Sequence, residues 1–149
     1  MNVLDVLHDD HAVAERLFSD ILRTSSADKT RREELFHALK EALIKHSHAE
    51  EKVFYPQLRD KKPAHDLIEH GTDEHHQVEA LLSKMDNIPA DSDDWIDTLE
   101  AIHAKVKDHV QEEENDIFPK ARQLLGDGEL NQLTERFMRT KERERLSPS

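Results

Sequence analysis

The chain has 149 residues, enough for one domain with a sizeable apolar core, and we expect a single domain over residues 1–149. Charged residues make up 36% of the chain and aromatic residues 5%, and few glycines and prolines interrupt it, so the composition favours an all-α fold. The lack of cysteine excludes disulfides and thiolate metal sites, and a formal net charge of −12 opposes binding to nucleic acid or to an anionic membrane.

Apolar residues recur at steps of three and four, which predicts helices and no strands. The expected helices cover about residues 3–23, 28–58, 64–85, 93–125 and, for a shorter last helix, 129–143. We expect Pro56 to bend or end the second helix, Ser92 to cap the fourth and Gly126 to end it. Because short connections join four long helices, the pattern predicts an up-down-up-down bundle at about residues 3–125, followed by an extra helix and a fraying tail at about 126–149.

The second and fourth helices carry the same motif. Residues 46–56 read "HSHAEEKVFYP" and residues 109–119 read "HVQEEENDIFP", so both follow H-x-x-x-E-E-x-x-x-[YF]-P with an offset of 63 residues. In the first and third helices, His11 precedes His75 by 64 residues. The sequence therefore predicts a duplicated helical hairpin.

Each of the four long helices has one histidine within its apolar stripe, and in two of them a glutamate follows one turn later on the same face. These six residues are His11, His46, Glu50, His75, His109 and Glu113. Buried carboxylates need a compensating charge, which a divalent or trivalent metal supplies. Two carboxylates from different helices are placed to bridge a pair of metals about 3.5–4 Å apart, and imidazole with carboxylate suits iron, manganese or zinc.

A different interpretation applies to each residue taken alone. A single histidine on an apolar stripe is more often a hydrogen-bonded core residue, and one H-x-x-x-E is common by chance in a chain with 11 histidines. Two copies in register with a repeat favour metal binding. A structural bundle that holds zinc or no metal is the remaining alternative.

The order His11, His46-x-x-x-Glu50 with "FYP", His75, and His109-x-x-x-Glu113 with "IFP" resembles the hemerythrin-like HHE cation-binding family over about residues 3–120. The resemblance implies a four-helix bundle with a non-heme di-iron site. Its cofactor would be two iron ions with an oxo or hydroxo bridge, with manganese or zinc less favoured. The six residues would be the ligands and both glutamates would bridge.

The sequence departs from the oxygen-carrying hemerythrins, which use a fifth histidine one turn before the third-helix ligand and an aspartate five residues after the fourth-helix histidine. Here Gly71 takes the place of that fifth histidine, and the acid of the fourth helix, Glu113, stands four residues after its histidine. Glu114 stands at five, but the matching Glu51 lies off the apolar stripe. One iron is therefore expected to lack a histidine unless His70 replaces it, which puts simple reversible O2 carriage in doubt.

Other residues are candidates for a supporting role around the metals. Glu15 and Glu79 stand four residues after ligand histidines and are candidates to hydrogen-bond them, with solvated carboxylates as the alternative. His8, one turn before the first ligand histidine, is a candidate for the mouth of the site or a solvated helix end. Tyr55, the only tyrosine, takes the place of Phe118 in the repeat. We expect it to pack by the proline bend, with a redox or proton role as the alternative.

The resemblance implies a di-iron protein that binds or reacts with O2, hydrogen peroxide or nitric oxide. Catalase-like peroxide removal in oxidative stress is the first activity we expect. The alternative is a non-enzymatic iron or oxygen sensor, store or O2-binding module. The expected partner is a small molecule, and the expected state is a monomer or homodimer. No apolar run has the length of a membrane span, and the segment "MNVLDVLHDDH" lacks the apolar stretch of a signal peptide, so we expect a cytoplasmic location.

Overall fold

The computed structural model describes residues 1–144, and the predicted helices are present there. They are α1 (Val3–Leu22), α2 (Lys29–Ala49), α3 (Pro56–Arg59), α4 (Lys62–Met85), α5 (Asp93–Glu112) and α6 (Phe118–Arg143). Two π-helical turns, Glu50–Phe54 and Glu113–Ile117, join α2 to α3 and α5 to α6. Residues 1–144 contain no strand, which confirms the all-α prediction; the end of the predicted fraying tail, residues 145–149, lies outside the described residues.

The long helices form the predicted bundle. Helix α1 packs against α2 and α4 packs against α5, which gives the two helical hairpins of the repeat. The part of α6 that follows residue 126 adds the predicted fifth helix and packs against α1 and α2. None of the helices in residues 1–144 is long and apolar enough to cross a membrane.

Local capping fixes where α1 and α5 begin. Asn2 Oδ1 accepts hydrogen bonds from the backbone N–H groups of Leu4 at 2.9 Å and Asp5 at 3.3 Å, and the Asp5 carboxylate accepts one from the Asn2 N–H. At the start of α5, Ser92 Oγ accepts a hydrogen bond from the Trp95 N–H at 3.3 Å, which confirms the predicted cap. These contacts satisfy donors that have no partner within the helix.

Each π turn begins at a glutamate of the repeated motif and precedes a proline. The Tyr55 N–H donates to the Glu50 carbonyl, five residues earlier, at 2.8 Å, and the same pattern recurs from Glu113. Proline has no N–H and crowds the carbonyl four residues before it, so a wider turn accommodates Pro56 without ending the helix. The expected disturbance at Pro56 is therefore a local widening, and helical backbone continues to Arg59.

The helical backbone is broken at Gly126, the predicted end of the fourth helix, and a second helical segment follows at once. Gly126 has φ 74° and ψ 168°, a conformation open to glycine and costly for other residues. Beyond it, Leu130, Leu133 and Phe137 are buried against the bundle. Met138, the next residue, is 44% exposed.

Two apolar clusters fill the bundle, one on each side of a polar layer. On α1, the first cluster ends at Leu7 and the second begins at Ala14, with His11 between them. On α4, the clusters are likewise separated between Ile68 and Val78. The polar layer therefore lies at a similar depth on each helix, inside the core.

Candidate metal centre

The six side chains predicted from the repeat meet in this polar layer. They are His11 on α1, His46 on α2, His75 on α4, His109 on α5, and Glu50 and Glu113 at the first positions of the two π turns. None of the histidines is more than 9% exposed, and both glutamates are 0% exposed. Such burial of imidazole and carboxylate groups requires partners for them.

The inward-facing atoms fall into two groups that share Glu113. In one group, atoms of His11, His46 and Glu113 all lie within 4.8 Å of one another; in the other, atoms of Glu50, His75, His109 and Glu113 do so. Each group has the donor types that first-row transition metals bind. The polar layer therefore has room for two neighbouring cation positions, with Glu113 between them.

The spacing of the donor atoms fits coordination of common ions. His75 Nε2 lies 3.1 Å from His109 Nε2 and 3.1 Å from Glu50 Oε1, and His11 Nε2 lies 3.0 Å from Glu113 Oε1. Atoms that bind one ion at about 2.1 Å and at right angles to each other are about 3 Å apart. The measured distances are those expected between ligands of a shared ion.

Several of these atoms have no hydrogen-bond partner among the described residues. They are Nε2 of His11, Nε2 of His46, both carboxylate oxygens of Glu50 and Oε1 of Glu113. An unpaired buried polar atom costs about 1–3 kcal/mol, so such atoms are rare in stable proteins. A cation placed among them would satisfy them together, and the residues present therefore fit a metal.

Without a metal, the two buried carboxylates differ in proton affinity. Burial and the negative charge of Glu113 raise the pKa of Glu50 well above its usual value. Burial alone would also raise the pKa of Glu113, but close contacts with the positively charged imidazoles of His109 and His11 lower it well below its usual value. The surroundings therefore favour a proton on Glu50 and a negative charge on Glu113.

Two of the imidazoles share a proton in the same way. Burial lowers the pKa of His75 to about 4. Burial would also lower the pKa of His109, but hydrogen bonds with Glu113 and Glu74 raise it to about 10. Two Nε2 atoms at 3.1 Å need either a proton between them, which His109 supplies, or an ion that both bind.

Each of the four histidines is oriented by a carboxylate on its outer nitrogen. The Nδ1 pairs are His11 with Glu114 at 2.7 Å, His46 with Asp10 at 2.8 Å, His75 with Glu51 at 2.8 Å and His109 with Glu74 at 2.8 Å. In a neutral imidazole, a carboxylate acceptor favours the tautomer with the proton on Nδ1, which leaves the Nε2 lone pair facing inward. This is the arrangement that metal-binding imidazoles require.

The orienting carboxylates follow the internal repeat, although sequence reasoning misses them. Glu51 and Glu114 directly follow the buried glutamates, and Asp10 and Glu74 directly precede histidines of the layer. Glu51 does lie off the apolar stripe, as expected, but from there it reaches the outer nitrogen of His75. Acidic neighbours at the same 63- and 64-residue offsets are the signal that could have identified all four.

Tyr55 lies within the centre rather than only beside the proline bend. Its buried hydroxyl donates a hydrogen bond to Glu113 Oε2 at 2.7 Å, and its ring stacks on His75 with centroids 5.4 Å apart. A Cβ at Gly71 would lie 2.9 Å from this hydroxyl. The tyrosine therefore occupies space that a histidine at position 71 would enter.

Two other candidate histidines lie at the edge of the centre. The exposed His8 shares a carboxylate oxygen with His11, because its Nδ1 lies 3.0 Å from Glu114 Oε2. His70 Nε2 lies 3.2 Å from Glu112 and 3.5 Å from Glu74 on the protein surface. His70 therefore does not replace the missing ligand histidine.

The two remaining candidates, Glu15 and Glu79, contact histidines outside the polar layer. Glu15 contacts His103 at 2.9 Å, and Glu79 contacts His48 at 2.7 Å. Neither carboxylate contacts an imidazole of the polar layer, so the expected orienting role of this pair is corrected. The orienting positions are instead those next to the ligand candidates in sequence, such as Asp10 and Glu51.

A cavity of about 40 Å³ adjoins the four histidines. Its apolar lining consists of Ala14, Ala42, Leu43, Val78, Val106 and Val110. About one or two water-sized molecules fit such a volume. The lining favours a small uncharged molecule over an ion.

An all-α bundle with a buried layer of imidazoles and carboxylates defines a class of metal-binding helical proteins. The sequence profile of the hemerythrin HHE cation-binding domain matches residues 2–121, and the chain belongs to this family. This confirms the resemblance drawn from the two motifs. Family membership and the buried histidine–glutamate layer together identify a metal-binding protein.

Two known proteins are similar to the chain over 95% of its length. It is similar to a hemerythrin HHE cation-binding domain-containing protein of Mycobacterium kansasii, whose crystal structure matches with a TM-score of 0.84 at 28% identity, covering 95% of this chain and 86% of that one. It is also 28% identical over 141 residues to a DNA nickase of Nostoc sp.. That match covers 95% of this chain but 39% of the nickase, so the chain spans about two fifths of that relative's length.

Proposed function

We propose that the protein holds two iron ions in the histidine–glutamate layer and converts hydrogen peroxide to water and O2. The observation that carries the proposal is the set of buried donor atoms without partners. His11 and His46 would bind one ion, and His75 and His109 the other. Mixed imidazole and carboxylate donors suit iron.

Glu50 and Glu113 are the residues that would bind both ions. Glu50 Oε1 lies 3.1 Å from His75 Nε2 and 3.7 Å from His46 Nε2, so one carboxylate oxygen faces a histidine of each group. Glu113 belongs to both groups of donor atoms. Four histidines and two shared carboxylates leave coordination positions free for a small molecule.

Peroxide suits this site because its disproportionation needs no outside reductant. One molecule is oxidised to O2 with loss of two electrons and two protons. A second molecule takes up these electrons and protons and becomes two molecules of water. An iron pair, when bound, supplies the redox chemistry. Burial and the charges of Glu113 and Glu50 raise the pKa of Tyr55 well above its usual value, so its hydroxyl keeps its proton beside Glu113. Apolar groups such as Val78 and Val106 limit bulk water.

The test is to load the protein with Fe(II) without oxygen, count the bound iron, and follow O2 release after adding peroxide. We expect two irons per chain and one O2 for every two peroxide molecules. Glu15→Gln, which alters only the contact with His103, is the matched control and should behave like the wild type. Persistent peroxide with fully loaded protein would refute the catalytic proposal, and a failure to bind iron would refute the di-iron centre.

A non-enzymatic sensor of iron, O2 or nitric oxide is the second candidate. The observation that favours it is the contact between the last helix and Asp10, which orients His46. A sensor would loosen this helix when the metal is removed or changes state, so limited proteolysis would cut after Gly126 only in one state. Visible spectra before O2 exposure, after it and after O2 removal separate reversible binding from redox reaction.

DNA nicking is not part of the proposal. The activity belongs to the Nostoc protein, of which this chain matches 39%. A formal net charge of −12 opposes binding to a phosphate backbone.

A further inference from the structure

One lysine of the last helix, Lys141, contacts the carboxylate that orients His46. Lys141 Nζ donates to Asp10 Oδ1 at 2.7 Å, while Asp10 Oδ2 accepts from His46 Nδ1 at 2.8 Å. The ammonium and the imidazole therefore hold opposite oxygens of one carboxylate. A residue from outside the four-helix bundle thus fixes the group that orients a ligand candidate.

Packing supports the same contact. The side chains of Lys141 and Asp10 are 29% and 18% exposed, so the ion pair is partly shielded from water. Lys141 Nζ lies 5.8 Å from the ring centre of Phe137, whose ring in turn meets the imidazole of His46 edge-on with centroids 5.8 Å apart. The last helix therefore contacts His46 directly through Phe137 and indirectly through Asp10.

The internal repeat supplies a comparison within the same molecule. Glu74 is the counterpart of Asp10 and orients His109, but its other contacts are the exposed His70 at 3.5 Å and Glu112. Neither Glu74 nor the other orienting glutamates, Glu51 and Glu114, has a lysine or arginine partner within 4.0 Å in residues 1–144. Only the carboxylate behind His46 has an ammonium partner there.

We propose that Lys141 is a positioning residue that selectively secures the metal held by His11 and His46. The inference rests on the proposed two-ion centre. With Lys141 in place, Asp10 is fixed at both oxygens and holds the His46 ring with Nε2 inward. Without it, Asp10 is free to rotate and the His46 ring loses its fixed orientation. Loss of an orienting partner weakens metal binding by about 10–100-fold, and we expect about tenfold because Lys141 acts through Asp10.

The experiment compares release of the two ions from three variants of the full chain. Lys141→Met removes the charge but keeps a long side chain over Phe137, and Lys141→Arg keeps the charge. Lys40→Met is the matched control, because Lys40 bonds Asp86 at 2.9 Å on the surface. Each protein is loaded with Fe(II) without oxygen, and release to an excess of chelator is followed by absorbance.

We expect Lys141→Met to release one of its two ions about tenfold faster than the wild type and the other at the wild-type rate. Lys141→Arg should restore slow release, and Lys40→Met should match the wild type. Unchanged rates in Lys141→Met, or equal acceleration of both ions, would overturn the inference while leaving the two-ion centre intact. A wild-type protein that binds no iron would overturn both.

Far-UV circular dichroism checks that the variants keep their helices. If Lys141→Met does not, Lys141→Leu takes its place under the same criteria, because leucine also removes the donor to Asp10 and favours helix. A merely structural role of Lys141 would lower the thermal stability of the metal-free protein without separating the two release rates.

Discussion

The Tyr55 hydroxyl bonds Glu113 in space that the missing side chain of Gly71 leaves open. Glycine within a helix costs about 1 kcal/mol relative to alanine, and Gly71 lies in the middle of α4. The sequence therefore contains a residue that weakens its helix at the one position where a Cβ would meet the tyrosine oxygen at 2.9 Å. The glycine that weakens α4 thus leaves room for the Tyr55 hydroxyl beside Glu113.

Gly71→Ala is expected to destabilise the metal-free protein by about 1 kcal/mol. The new Cβ overpacks a hydroxyl held by Glu113 and by stacking on His75, and this outweighs the gain in helix propensity. Urea unfolding measures the change. Gly128→Ala is the matched control: its Cβ meets nothing within 4 Å, so a gain of up to about 1 kcal/mol is expected. Equal effects in the two variants would contradict the steric argument.

Tyr55→Phe tests the same contact from the other side. The single change removes the donor to Glu113 and should cost the metal-free protein about 1–2 kcal/mol. Combined with Gly71→Ala, it also removes the oxygen that the new Cβ meets, so the double variant should be more stable than the sum of the single changes. Additive free energies of unfolding would show that the two positions do not interact.

Glu50→Gln and Glu113→Gln should have unequal effects on the stability of the metal-free protein. The raised pKa of Glu50 favours its protonated form, so a neutral amide of the same shape should cost little. Glu113 is ionised and lies against the imidazoles of His109 and His11, so its replacement breaks a buried charged pair at a cost of about 3 kcal/mol. Urea unfolding and iron counts on the same samples make the test. Both variants should bind fewer than two irons, and equal stabilities would contradict the assigned protonation.

The inward-facing set of four histidines and two glutamates could be predicted because it depends only on helical periodicity and on the offset between the repeats. The orienting carboxylates could not be predicted from periodicity alone, because residues such as Asp10 and Glu51 lie on the flank of their helices. Their contacts depend on how closely the neighbouring helix approaches, which periodicity does not give. Acidic residues are also frequent in this chain, with 33 Asp and Glu among 149 residues.

The role of Tyr55 was hidden for a different reason. A uniform period of 3.6 residues places it by the proline bend, whereas the π turn that begins at Glu50 widens the helix just before it. Phe118, its counterpart in the repeat, stacks near His11 with centroids 6.2 Å apart but has no hydroxyl to donate. The two halves of the centre are thus alike in their inward ligand candidates and differ in the groups behind them.

The pKa shifts of His75 and His109 contribute to the stability of the metal-free protein on opposite sides of pH 6.5, the usual pKa of histidine. Because burial lowers the pKa of His75 to about 4, the unfolded chain binds the extra proton between that value and 6.5, so the contribution of His75 is lost as the pH falls through this window. The pKa of His109, raised to about 10, has the opposite effect: its contribution is complete below 6.5 and is lost as the pH rises towards 10. Urea unfolding with chelator present at about pH 5, 6.5 and 9 tests both slopes. His109→Gln should remove the alkaline loss and keep the acid one, while wild-type stability that keeps rising to about pH 9 would contradict the shared proton between His75 and His109.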